Sequence, residues 1–267
     1  FLPYLGVESE RNIRHYDVIV IGSDEVFNCA QKTWFGFSRQ LFGEGLNADK
    51  IITYAASFGA TTVDKLQELG IKKIVGRLLG NISVISVRDA NSSITVKTLI
   101  GKVPVMHLDP VLIFNYDLFM PSNVTLKNYM IVYTYPGRIT DKHFAKSHRL
   151  KLISIGHYFS WCDDVVIPSP FEVLAYFKNA SYIVTDTFHG SVFSIKYNKA
   201  FCTIIRNMNN QKLSYLLKQF HLESRIINDI DKLDSILTTP IDYKEINEYI
   251  AKETRCSIEY LKTNICK

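Results

Sequence analysis

The feature that most constrains this chain is a repeated switch between two residue periods. Short β-branched runs at Val18–Ile21, Ile51–Ala55, Ile82–Val87, Val103–His107, Met130–Thr134, Lys151–Ile155, Val165–Ile167, Tyr182–Thr185 and Phe201–Ile205 have the length and composition of strands. Between them, stretches of helical period fall at Val63–Leu79, Ser92–Ile100, Phe171–Asn179, Gly190–Asn198 and Gln211–Phe220. In the first of these, Leu66, Leu69, Val75, Leu78 and Leu79 keep mostly three- and four-residue steps, so one face is expected to be buried. The tail from Tyr243 to Ile265 repeats the pattern with Ile246, Tyr249, Ile250, Ile258, Leu261 and Ile265. Strand–helix alternation of this kind predicts an α/β protein with a mainly parallel sheet. The stretch Phe114–Asn128, with Pro121 and three asparagines, separates two strand–helix series and reads as a linker. The expected organisation is therefore two doubly wound domains, 1–122 and 123–267.

Composition bounds the function classes. Hydrophobic residues make up 47% of the 267 and charged residues 21%, enough core to exclude disorder. The net charge of +5 is spread thinly, without the Lys/Arg and aromatic stripe of a nucleic-acid surface, so no nucleic-acid partner is expected. It is compatible with anionic small molecules. Five cysteines form no CxxC pair and no Cys/His ligand spacing, which suits a reducing compartment. No HExxH and no grouped carboxylates suggest a metal site. No signal-peptide pattern opens the chain, and no apolar run nears the roughly 20 residues of a membrane span. The expected location is the cytoplasm.

In parallel α/β sheets, ligands bind beyond the carboxyl ends of the strands. Gly22-Ser23-Asp24, Ser57-Phe58-Gly59, Arg88-Asp89 and Leu108-Asp109-Pro110 follow the first four runs. Gly156-His157 and Asp186-Thr187-Phe188-His189-Gly190-Ser191 follow two later ones. The last is the sharpest, because a helix starting near His189 or Gly190 would offer N–H groups and a partial positive charge to an anion. Gly190 would admit a ligand close to the backbone. His189, titrating near neutrality, would be a proton donor at that entrance. The plainer alternative is that Asp186 or Thr187 caps the helix while His189 packs under the strand. Arg88 could grip a carboxylate or phosphate, or pair internally with Asp89 or Asp109. Asp109 before Pro110 could equally form a turn, and Ser23 and Asp24 could cap the next segment.

The same residues carry a resemblance. Asp17–Asp24, Ile52–Gly59, Ile85–Asp89, Asp109–Val111, Thr185–Ser194 and Asn198–Phe201 occur in the order of the polysaccharide pyruvyltransferase family. Leu213–Leu217 and Leu222–Arg225 resemble its closing region. The resemblance implies two Rossmann-like domains in a GT-B-like fold, and transfer of pyruvate from phosphoenolpyruvate to a sugar of a surface polysaccharide or its precursor, forming a ketal. Phosphoenolpyruvate is then a co-substrate, and no cofactor is expected. A lipid-linked acceptor would bring the enzyme transiently to the inner membrane face. His189 corresponds to the family's donor-site histidine, with Asp24 or Asp109 to accept a hydroxyl proton. Arg88, Thr187, Gly190 and Ser191 fall on the donor side, Ser23 and Ser57 on the acceptor side. Two departures stand out. The family's opening strands have no counterpart, so the N-terminal domain is expected to be partial, and Thr187 stands where some members carry an arginine. The alternatives are a GT-B glycosyltransferase using a nucleotide sugar, and a non-catalytic saccharide-binding or assembly protein.

Overall fold

The computed structural model describes residues 15–31, 37–136, 142–206 and 210–266. The opening 1–14, where the sequence suggests no strand, lies outside the described residues.

In the first part of the chain, β1 (Tyr16–Gly22) pairs in parallel with β2 (Ala48–Tyr54), in the register Val20↔Ile52. Helices α1 (Val63–Glu68) and α2 (Lys72–Gly80) follow. Then come β3 (Ser86–Val87), α3 (Ala90–Ile100) and β4 (Val105–Met106), with β3 and β4 again parallel. Isolated bridges Ile52↔Val84 and Ala56↔Val87 tie β2 to the β3 segment. The single helix expected over Val63–Leu79 is two helices, because Gly70 takes the left-handed conformation (φ +70°) that ends α1. Leu66, Val75, Leu78 and Leu79 are buried as expected, but Leu69, at the break, is exposed. Around them Phe27, Phe42 and Phe58 form an aromatic core, with the first two rings stacked at 4.5 Å.

The rest of the chain builds a six-stranded, all-parallel sheet. Its elements are α4 (Pro110–Ile113), β5 (Tyr129–Tyr133), α5 (His143–Ser147), β6 (Lys151–Ile155), β7 (Asp164–Val166), α6 (Pro170–Asn179) and β8 (Tyr182–Thr185). After these come α7 (Phe188–Lys196), β9 (Ala200–Ile204), α8 (Asn210–Gln219), β10 (Ile226–Ile227), α9 (Leu233–Thr238) and α10 (Lys244–Ile265). The strand order is β10-β9-β8-β5-β6-β7. Counted by their order in the chain from the far edge, the strands run 3-2-1-4-5-6, the doubly wound Rossmann order.

Alternation along each strand explains the two covered faces. Tyr129, Ile131, Ile153, Ile183 and Phe201 point into one core, with Val192 and Ile195 of α7 and Leu213 and Leu217 of α8. Met130, Val132, Leu152, Val184 and Cys202 point into the other, beside Phe144 of α5 and Leu233 and Leu237 of α9. Along α10, Ile246 is buried and Tyr249 and Ile250 pack on the first core, while Ile258 and Ile265 are exposed.

By density of internal contacts, the chain divides into Phe1–His107 with Leu261–Lys267, and Leu108–Tyr260. Leu108 and Leu112 belong to the second unit's core, so its start precedes the Asn-rich stretch 114–128.

Candidate functional site

In the first unit, the loops after β1, β2 and β3 are knitted into one edge. Ser57 N–H donates to the Asp24 carbonyl (3.2 Å), and Phe27 N–H donates to the Ser57 carbonyl (3.0 Å). Gly22, which opens the first loop, has φ +152° opposite Tyr54, and a Cβ there would collide with the Tyr54 carbonyl oxygen. Only glycine lets the chain turn so close to its neighbour. Arg88 leaves β3 with its side chain 3% exposed, and its Nη2 donates to Asp24 Oδ1 at 2.9 Å. Asp24, which the sequence reading did not propose as its partner, is thus one carboxylate that Arg88 holds. The Asp24 side chain is 69% exposed, so a buried cation presents itself to a carboxylate at the surface.

Asp89 has a different task. Its Oδ1 accepts from Ser92 N–H and Oγ, both at 2.8 Å, capping α3, and its Oδ2 accepts from Ser57 Oγ at 2.6 Å. Ser57 is fully buried and also accepts from Gly59 N–H (2.9 Å), so its hydroxyl is committed to the fold. Ser23 is half-buried in the turn after β1.

In the second unit, β5 and β8 are neighbours at the point where the winding reverses, the position where doubly wound sheets bind ligands. Asp186 follows β8 and is fully buried. Its Oδ1 accepts from Tyr135 N–H, just beyond β5, at 3.1 Å. Its Oδ2 lies 3.2 Å from Arg206 Nε, and Arg206 Nη2 donates to its carbonyl at 3.3 Å. The guanidinium lies 4.3 Å from the Tyr135 ring centroid, within cation–π range. Thr187 is the N-cap of α7, accepting from Gly190 N–H at 2.9 Å, and His189 sits half-buried in the first turn. Its ring lies 6.0 Å from that of Phe193, one turn on.

Several sequence-predicted residues serve the turn itself. A Cβ on Gly190 would collide with Thr185 Oγ1, so the missing side chain lets α7 start against the end of β8. Ser191 is fully buried, its Oγ 2.9 Å from Thr203 Oγ1 of β9. Asp109 is buried at the start of α4, where its Oδ1 accepts from Val111 N–H at 3.0 Å. The sequence reading missed Arg206. Its signal is a cation ending the apolar run Ile204-Ile205, as Arg88 ends Ser86-Val87.

Among the described residues, no group of three His, Cys, Asp or Glu side chains could hold a metal ion. Among them, too, no helix is long and apolar enough to cross a membrane.

The polysaccharide pyruvyl transferase family model matches residues 2–207. The chain belongs to this family. The match takes in both strand-end clusters, from Asp24 and Arg88 to His189 and Arg206. A search of curated proteins finds no match to this chain.

Proposed function

We propose that this family member transfers pyruvate from phosphoenolpyruvate to a sugar of a surface polysaccharide or its precursor, closing a cyclic ketal. The observation that carries the proposal is His189 in the first turn of α7, at the winding reversal of a Rossmann-ordered sheet within the family match. A half-buried imidazole there can hold a proton and deliver it to a bound enol ester.

In this scheme His189 protonates the methylene carbon of phosphoenolpyruvate, leaving an oxocarbenium-like carbon beside the carboxylate. Arg88 and Arg206 are the strand-end cations for the donor's carboxylate and phosphate. Arg88 already holds a carboxylate, that of Asp24, and Asp24 is exposed enough to give way to the donor's. Buried or stacked guanidinium groups cost little reorganisation when an anion arrives. A sugar hydroxyl then adds to the cationic carbon, phosphate leaves, and a second hydroxyl closes the ring. Of the two hydroxyl protons released, one replaces the proton spent on the methyl group and the other leaves with phosphate. Asp24 is the better-placed acceptor for them, since Asp109 is buried in a cap. Thr187, Gly190 and Ser191 shape the turn that aims His189. Ser23 stands on the acceptor side, with Ser57 behind it. A GT-B-like pairing of Rossmann-like domains and a cytoplasmic location, where phosphoenolpyruvate is made, go with this reading.

The test is His189→Ala, assayed with phosphoenolpyruvate and candidate saccharides by mass spectrometry of the acceptor and by phosphate release. Loss of general acid catalysis should lower turnover by about 10²–10⁴-fold. Undiminished ketal formation by a folded variant would remove His189 from the reaction.

A further inference from the structure

A cavity of about 580 Å³ lies in the second unit, walled by the end of α8, the turn that follows it, and the first two turns of α10. Its lining residues, between Gln219 and Tyr249, all lie beyond residue 207, where the family match ends. None of the strand-end residues around His189 is among them. The volume falls within the roughly 300–1,000 Å³ of small-molecule sites and gives room for one or two sugar rings.

The walls have a definite chemistry. Asp242, Glu245 and Tyr249 recur on one face of α10 and its lead-in, at steps of three and four residues. Gln219 Nε2 donates to Tyr249 Oη at 3.0 Å, and the Phe220 ring meets the Tyr249 ring edge-on at 5.7 Å. A half-buried aromatic face is thus fixed beside two exposed carboxylates. Arg225, the one lysine or arginine in the lining, is 4% exposed, and its guanidinium is turned to the backbone. Its Nη1 donates to the carbonyls of Ile236 (2.5 Å) and Thr239 (2.9 Å), and its Nη2 to that of Pro240 (3.2 Å). That clamp ties one wall together and turns these donors toward the backbone rather than the cavity.

Two exposed carboxylates outnumber the one buried guanidinium in the lining, which disfavours phosphoenolpyruvate, nucleotides and acidic sugars. Carboxylates and an amide suit hydroxyl groups, and the Tyr249 ring suits the C–H face of a pyranose. We propose that this cavity binds an uncharged sugar residue, as an anchoring subsite for the carbohydrate on which the enzyme acts. Its anchoring role rests on the pyruvyl-transfer reading, whereas the binding itself is measurable without any donor.

The experiment is saturation-transfer NMR on the full chain with neutral hexose di- and trisaccharides, without phosphoenolpyruvate. The wild type should show saturable binding, and Asp242→Asn/Glu245→Gln should weaken it at least about tenfold, worth about 1.4 kcal/mol. Tyr249→Phe, which keeps the ring, should weaken it less than Tyr249→Ala. Phosphoenolpyruvate should not displace the sugar. No binding to any member of the panel, binding undiminished in the folded double variant, or displacement by phosphoenolpyruvate would each overturn the proposal. Failed pyruvyl transfer with intact sugar binding would count against the catalytic reading alone.

Discussion

Replacing Asp89 by alanine removes one buried carboxylate that organises the first unit's strand-end loops. Three donors lose their acceptor: Ser57 Oγ at 2.6 Å, and Ser92 N–H and Oγ at 2.8 Å each. Both serines are fully buried, so water cannot replace the lost bonds cheaply. An N-cap contributes about 1 kcal/mol, and each hydrogen bond to a charged group about 1.5–3 kcal/mol. The bonds share one acceptor, and alanine also escapes the desolvation cost of a carboxylate, so the sum shrinks to about 3 kcal/mol. Urea unfolding followed by circular dichroism reads the effect, as the variant moves the first unit's transition. With a urea slope of about 2 kcal/mol/M, the midpoint should fall by about 1.5 M. Asp89→Asn, which keeps an oxygen for Ser92, should lose about half as much. A fall of less than about 0.5 M for the alanine variant would show that the carboxylate does not hold these loops together.

Two further outcomes follow from the same geometry. Gly190→Ala gains about 1 kcal/mol of helix propensity but forces a methyl group into the Thr185 side chain, and overpacking costs about 1–3 kcal/mol. The melting temperature should drop by a few degrees, and an unchanged or higher value would refute the close start of α7. His107 is buried, 2.7 Å from Ser86 Oγ and stacked on Tyr54, and burial pulls its pKa below the ordinary 6.5. The unfolded chain therefore takes up the proton first, so this contribution to stability is complete above about pH 6.5 and is lost as the pH falls below it. Urea midpoints from pH 7.5 to 5 should show a steeper acid decline in the wild type than in His107→Gln. Parallel curves would refute the assignment.

Much of the fold was legible because strands buried on both faces read as unbroken β-branched runs, as in Met130-Ile131-Val132. Helices of four to six residues, such as α4, α5 and α9, complete too little of a turn pattern to be read by period. The 3-2-1-4-5-6 order leaves no trace in local sequence, because it is set by which edge each strand joins. The strand-end rule singled out Asp24, Arg88 and His189, and the structure places them after β1, β3 and β8. It could not tell that Ser191 lies against Thr203 of β9 rather than at the mouth, since helix phase alone does not say which neighbour a face meets. Nor could it pair Arg88 with Asp24, 64 residues away.

The grip of Arg225 on three peptide oxygens has a consequence for how this region can change over time. Contacts made to the main chain ignore what grows from it, so the tether itself asks nothing of the side chains at 236, 239 and 240. One position carries the rigidity and its neighbours carry the variety. A lineage could thus retune what the hollow accepts without first loosening the scaffold around it.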